Sequence, residues 1–478
     1  MTLRQAQGVG ARSSDSAAER SSLPVRYPDV ESPRVMGRRA WWLLGLGFLV
    51  PGSAQVLAGS RRLGRFGLAM TIAFWILLVV GIVLALTVGA TEVLAWVATH
   101  TIVLVALQVL VVVYAALWIV LTLDTLRLTR LVRLGPAARS GVAAVSVVLL
   151  VLFGGGAAFA VSTISSVDRG LGVFGAGPAE PPIDGYYNIL LIGADSGEDR
   201  EGLRPDSTTV LSIEASTGQA VMYGLPRDLG YVPFAAREAP ADEPSPVVDT
   251  MYELYPDGYD GHLNSIYTEV EVDHPDFYPG SAPASSPGIE GMIDAASGAL
   301  GIPIQYYVLI DMQGFASIID ALPGGGITIN VREALPVGGE WVDGENVVPA
   351  DYWLEPGVQV LNGYNALWYA RSRYTTSDYD RMGRQHEVLE QLLYQVEDPM
   401  TLLTHFGEIA EAGAQAVKTD IPRSMFPTLV DLARKARDQD IERIDMTPPT
   451  IDPEQPDFAY MQQLVRDSRV QPTSEPEA

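Results

Sequence analysis

The 478 residues carry a formal net charge of −25 and no cysteine, so disulfides and thiolate metal centres are excluded. The charge is unevenly spread: residues 1–165 hold 14 Arg/Lys against 6 Asp/Glu, and the remainder 18 against 51. Nucleic acid is a poor partner for such an acidic bulk, because a phosphate backbone calls for a basic face.

In chain order, residues 1–39 are polar, with Ser and Arg and no apolar periodicity, and read as a disordered cytoplasmic tail. Residues 40–165 read as a membrane region. Three uncharged runs, about 66–89, 98–123 and 141–162, each reach the roughly 20 residues needed to cross a bilayer. The stretch 41–58 is shorter and is interrupted by Pro51, Gly52 and Gln55. Arginines decide its topology. Seven lie in residues 1–39, and Arg61, Arg62 and Arg65 follow the broken stretch. Both sides of 41–58 are therefore cytoplasmic by the positive-inside rule, and the segment is re-entrant or interfacial. The three spans then run out, in and out, which places everything after about residue 165 outside the cytoplasm. The connector 90–97, without Lys or Arg, and the connector 124–139, with four arginines, agree with this order.

Residues 166–185 form a linker, Gly- and Pro-rich over 170–182. The region 186–465 mixes strand and helix signals. Strands are expected at 187–193, 208–213, 220–223, 306–310 and 326–331, and helices at 288–300, 314–322, 362–370 and 382–396. Such alternation points to a central sheet flanked by helices. The acidic, Pro-rich insert 235–260 reads as a surface loop, and 466–478 as a disordered tail.

Four charged clusters sit at the ends of expected elements: Asp195 with Ser196; Arg204, Asp206 and Ser207; Arg227 and Asp228; and Arg371, Arg373, Asp378, Asp380, Arg381, Arg384 and Gln385. Singly, each reads most simply as a solvated surface or turn residue. Together they concentrate arginine in an otherwise acidic domain. The planar guanidinium fork suits phosphate oxygens. Neighbouring carboxylates suit a hard divalent cation, which shares its shell between carboxylate, phosphate and water. Arginines, two aspartates and such a cation make a pyrophosphate site.

The stretches NILLIGADS, RPDSTTVLSI, GLPRD, GIPIQYYVLIDMQGFASIIDALPGG, LNGYNALWYARSR and DYDRMGRQ, in this order, resemble the LytR–CpsA–Psr family of cell-wall glycopolymer phosphotransferases. The resemblance covers about residues 186–395. It implies an extracytoplasmic α/β/α layered domain behind a membrane anchor, here a multi-span α-helical one. It also implies a greasy cavity for lipid, and transfer of a glycopolymer phosphate from a polyprenyl-pyrophosphate carrier to peptidoglycan. By the same resemblance Asp195 and Asp206 match the family's Mg²⁺ (or Mn²⁺) carboxylates. Arg204, Arg227, Arg371, Arg373 and Arg381 match its pyrophosphate-binding arginines, and Asp378 and Gln385 complete the site, with Asp378 a candidate to take the acceptor hydroxyl's proton. The three spans and the long acidic insert depart from the usual single-anchor pattern. Hydrolysis of the carrier-linked glycan uses the same site and is the alternative activity. A transcriptional regulator would need a basic recognition helix, for which the 39-residue tail offers no core.

Overall fold

The computed structural model describes residues 25–26, 28–175, 177–195, 204–236, 250–278, 285–339, 341–342, 346–347, 349–372, 378–396, 412–413, 416–436, 439 and 441–469. The chain divides into two compact units, Met1–Ser165 and Ser166–Ala478.

The first unit is helical. Helix α1 (Pro33–Leu49) breaks at Pro51 and Gly52, α2 (Ser53–Ala58) follows, and α3 (Arg61–Thr87), α4 (Ala90–Thr99), α5 (Thr101–Thr129) and α6 (Pro136–Gly170) complete it. The connector expected at 90–97 is thus itself a short helix. Three helical stretches are long and apolar enough to cross a membrane: Arg61–Thr87, Thr101–Arg133 and Pro136–Val173. The break after α1 has a specific cause. Gly52 adopts φ +96°, and a Cβ there would lie 2.6 Å from both Gly64 O and Leu68 N, so only glycine lets α3 approach this closely. The buried Gln55 amide nitrogen finds partners inside the bundle: Nε2 donates to Leu121 O at 2.8 Å and to Thr125 Oγ1 at 3.0 Å. Satisfying such groups internally is what an apolar surround demands.

The second unit is built on a mixed six-stranded sheet. Its strands are β1 (Tyr186–Asp195), β2 (Arg204–Glu214), β3 (Ala220–Leu225), β4 (Tyr306–Asp311), β11 (Val417–Thr419) and β12 (Glu442–Asp445), in the order β11-β4-β1-β2-β3-β12. Strand β1 is central and covered on both faces, which explains its unbroken apolar run. Leu190, Ile192 and Ala194 point to one side, against α8 (Leu263–Thr268), α9 (Pro287–Leu300) and α14 (Phe458–Arg469). Tyr187, Ile189 and Leu191 point to the other, where α13 (Phe426–Ala436) packs. The result is the α/β/α layering expected from the sequence. Short α7 (Met251–Leu254) lies within the insert, of which 237–249 are outside the described residues.

A satellite core joins α10 (Met312–Asp320), α11 (Gly363–Arg371) and α12 (Asp378–Val396) to small ribbons: β5 (Ile327–Val331) with β10 (Gly357–Leu361), and β6 (Leu335–Val337) with β9 (Tyr352–Leu354). Strands β7 (Trp341–Val342) and β8 (Asn346–Val347) form a third pair. At the C-terminal end, 466–469 are the last turn of α14 and not tail. Arg469 Nη2 bonds Ser212 Oγ at 2.8 Å and Asn188 Oδ1, and its guanidinium lies 4.4 Å over the Tyr186 ring.

Candidate functional site

The site begins at an irregularity between β1 and β2. Gly193 pairs with Ser207 and Ala194 with Pro205, so Asp206 is the extra residue of a β-bulge. A bulge bends its strand and re-aims a side chain, which is why bulges recur beside active sites. Asp206 therefore lies inside the observed strand, not ahead of it. The ladder continues to Asp195 opposite Arg204, so those two backbones also meet at this end of the sheet.

Two arginines converge on the bulge. Arg227, from the turn after β3, brings Nη1 to 3.3 Å from Asp206 Oδ1. Its loop is pinned by Asn264 N–H donating to Arg227 O and Leu263 N–H donating to Leu229 O, at 3.0 and 2.9 Å. Arg381, on the first turn of α12, donates from Nη2 to Asp206 O at 3.1 Å and holds Nη1 3.9 Å from Oδ1. The Arg381 side chain is only 3% exposed, against 29% for Arg227. A guanidinium buried that deeply is held in one place, and its fork is preorganised.

Helix α12 also fixes α11. The last carbonyls of a helix lack intrahelical donors, and cationic side chains can supply them. Arg384 Nε donates to Tyr369 O at 2.8 Å, its Nη2 donates to Ser372 O, and Gln385 Nε2 donates to Ala370 O at 3.3 Å. Burial lowers the Arg384 pKa, opposed by Tyr369, Asp380, Glu333 and Glu387. Arg384 thus builds the end of α11 that carries Arg371, a role its sequence gave no sign of.

Beside this cluster lies an apolar cavity of about 80 Å³ between the sheet and α10, α11 and α12. Leu191, Ile310, Phe315, Leu367 and Leu389 make its greasy walls, while Ser207, Arg371 and Gln385 supply polar groups. One site thus combines an apolar hole and convergent guanidinium groups, as a ligand with an apolar and an anionic part requires.

Of the residues expected from the sequence, the structure brings Asp206, Arg227 and Arg381 into direct contact and sets Arg371 and Gln385 on the cavity wall. Asp195 and Arg204 have described backbones in the paired ends of β1 and β2, and Asp378 begins α12; their side chains, and Arg373 altogether, lie outside the described residues. Asp228 Oδ1 is buried with no hydrogen-bond donor among the described residues.

The sequence reading passed over one buried group. His386 follows Gln385 and is 1% exposed. Its Nε2 lies 2.9 Å from Thr209 Oγ1 of β2, and its Nδ1 lies 2.9 Å from Asp445 Oδ1 of β12, close but poorly aligned for a hydrogen bond. Burial would raise the Asp445 carboxyl, yet His386 and Arg443 together hold it below its ordinary value. Gly224 makes room: a Cβ there would meet Asp445 Oδ1 at 2.4 Å and His386 Cε1 at 2.6 Å. A lone histidine on a helix gives no sequence signal for this, since Thr209 is 177 residues away.

Comparison with known proteins agrees with the resemblance. The chain is 27% identical over 264 residues to the polyisoprenyl-teichoic acid–peptidoglycan teichoic acid transferase TagU of Halalkalibacterium halodurans, covering 55% of this chain and 69% of that one. It is 28% identical over 312 residues to the cell wall biosynthesis protein LcpA of Corynebacterium glutamicum, covering 60% and 55%. Among solved structures, Bacillus subtilis TagV aligns with TM-score 0.40 and 22% identity over 59% of this chain and 95% of that one. A TagT structure bound to LIIa-WTA aligns with TM-score 0.38 and 18% identity, covering 60% and 92%. The sequence model of the LytR_cpsA_psr family matches residues 179–475, well over half of the chain, and the protein belongs to that family.

Proposed function

We propose that the chain is a phosphotransferase that moves a glycopolymer phosphate from a polyprenyl-pyrophosphate carrier to peptidoglycan, outside the cell membrane. The observation that carries this reading is the Asp206–Arg227–Arg381 cluster set beside an apolar cavity that also presents Arg371 and Gln385. The relatives named for transfer of teichoic acid from a polyisoprenyl carrier to peptidoglycan support the same reaction class. The cavity takes the isoprenoid chain. At about 80 Å³ it is narrow, so a bound carrier parts α10 and α11 from the sheet. The arginines take the pyrophosphate and stabilise the charge that grows on the bridging oxygen as the bond to phosphorus breaks. A peptidoglycan sugar hydroxyl attacks the phosphorus, giving its proton to a carboxylate for which Asp378 is the candidate, as polyprenyl phosphate leaves with the bridging oxygen; the residues' task is chiefly positioning and charge stabilisation.

By the family resemblance Asp206 and Asp195, whose backbones meet at one end of the sheet, would hold Mg²⁺ or Mn²⁺, for which carboxylates are suitable hard donors. A divalent ion bound there adds charge neutralisation at the diphosphate. The three long apolar helices anchor the chain in the membrane, with the arginine-rich connectors inside and the domain after about residue 165 outside.

The test is transfer of a short-chain polyprenyl-pyrophosphate glycan onto peptidoglycan fragments by the full-length protein, across a magnesium titration. Glycan phosphate appearing on peptidoglycan is the expected product; release to water alone supports the hydrolase instead. A reporter fused after residue 165 is expected to be active only outside the cytoplasm, and cytoplasmic activity there would overturn the assignment.

A further inference from the structure

Helix α11 has two unlike faces. Ala366, Leu367, Tyr369 and Ala370 are buried against the core and cavity. Tyr364, Trp368 and Arg371, at i, i+4 and i+7, follow one another along the other side, with Trp368 half-buried and part of its ring packed on the satellite core. Tyr364 is 46% exposed, and its ring stands edge-on to Trp368 with centroids 6.3 Å apart. The Arg371 guanidinium lies 5.8 Å from the Trp368 ring. Tyr352 of β9, 44% exposed, extends the patch and is tied to the helix by its hydroxyl donating to Asn365 Oδ1. At 1.5 Å per residue the stripe from Tyr364 to Arg371 runs roughly 10 Å, the length of about two sugar rings. It is continuous with the proposed transfer site, since Arg371 lies on the cavity wall.

We propose that this stripe is the platform on which the acceptor glycan strand lies, a reading that rests on the transferase function above. Aromatic faces carry negative charge density and stack against the C–H face of a sugar ring, while tyrosine hydroxyls and the Asn365 amide meet its hydroxyls. An anionic membrane surface does not fit, because docking there calls for Lys or Arg beside the apolar residues. Residues 333–370 contain no Lys or Arg. The donor is held at two points already, by its tail in the cavity and its pyrophosphate on the arginines. The acceptor has neither hold, so bringing its hydroxyl to the phosphorus needs a surface of its own, and that surface ends at Arg371.

Two variants test this with little risk to folding: Tyr364→Ala on the exposed end, and Trp368→Leu, which keeps apolar packing but removes the ring face. In full-length protein, each is expected to raise the acceptor concentration for half-maximal transfer by about tenfold and to leave that of the donor unchanged. A rise for the donor instead would move the stripe to the donor's sugar, and no change for either would end the proposal. A second measurement separates this from the transferase reading. A soluble N-acetylglucosamine tetrasaccharide is expected to quench tryptophan fluorescence of the full-length wild type and not of Trp368→Leu. If that binding holds while wild type transfers nothing, the transferase reading falls and the saccharide platform stands. If wild type transfers but no tetrasaccharide binds, and both variants transfer like wild type, the platform is overturned alone.

Discussion

The two faces of the six-stranded sheet are finished differently. On the first, Leu190, Ile192, Met292, Ala295, Ala299, Met461 and Val465 are all 0–1% exposed, and the charge that α14 brings there, Arg469, is tied to Asn188 and Ser212 at the end of the sheet away from Asp206. On the second, α13 covers Ile189 and Ile213, but the packing stops at Leu191 and Gly193, where the cavity opens. Thr209, His386, Arg381 and Asp206 gather on that side. One face is packed to density and the other is left incomplete where charge must meet a ligand. Stability and chemistry should therefore separate by face.

The most severe substitution should be Leu190→Ala. It removes a fully buried side chain from the closed face and is expected to cost about 2–5 kcal/mol of stability, depending on how far α9 can settle into the space. Thermal unfolding of the full-length protein in detergent measures it. A loss below about 1 kcal/mol would show that this face is looser than its burial implies. The matching change on the open face is Arg227→Ala. A hydrogen bond to an ionised partner is worth about 1.5–3 kcal/mol, so transfer should slow roughly ten- to a few hundred-fold while the unfolding temperature stays put. Arg227→Lys should restore only part of the rate, because the ammonium keeps charge but not the fork. If Arg227→Ala unfolds the protein and leaves the specific rate intact, the two faces do not divide as argued.

The same contrast explains what the sequence disclosed. The closed face was legible because its signals are local: the run NILLIG reads as a buried strand, and Ile289, Met292, Ile293 and Ala296 mark one side of α9. Edge strands β11 and β12 escaped because they are three and four residues long and carry Lys418, Glu442 and Arg443, so only pairing with β4 and β3 makes them strands. The clusters holding Asp206, Arg227 and Arg381 were visible as charges in an order that resembles a family, but their meeting depends on a bulge and a buried helix start. The cavity was invisible, since six separate elements contribute its lining. Arg384 was read with its neighbours as one charged group, yet it bonds carbonyls at the end of α11.

His386 sharpens the comparison, being a buried polar link on the open face. His386→Leu fills the space but leaves Thr209 Oγ1 without its hydrogen-bond partner and removes the imidazole beside Asp445 Oδ1, and a buried polar group so stranded costs about 1–3 kcal/mol. The loss should appear locally, as faster hydrogen exchange along α12, with slower transfer because Arg381 and Gln385 ride on that helix. His386→Gln keeps one of the two contacts and should restore part of both. Unchanged exchange in α12 with His386→Leu would show that the helix is held by its apolar side alone.

The smallest effect should come from Asp420, beyond β11, where the open face ends. Burial pushes this carboxyl up to about 6; the Tyr307 N–H it accepts at 2.8 Å pulls it down, and Glu290 and Glu180 add to the rise. The sign follows from proton binding. Below the ordinary value near 3.8 the group is protonated in both states and costs nothing. As pH climbs toward 6, the unfolded chain releases its proton while the folded one retains it, so stability falls over that window and stays lower above it. Asp420→Asn cannot ionise, and its amide oxygen still accepts from Tyr307. It should match wild type near pH 4 and exceed it at pH 7.5 by on the order of 1 kcal/mol, since water still reaches part of the carboxyl. Unfolding temperatures of the full-length pair in detergent at the two pH values decide it. A gain equal at both would trace the effect to packing, and a loss at pH 7.5 would mean that the ionised carboxylate is worth more to the fold than its burial costs.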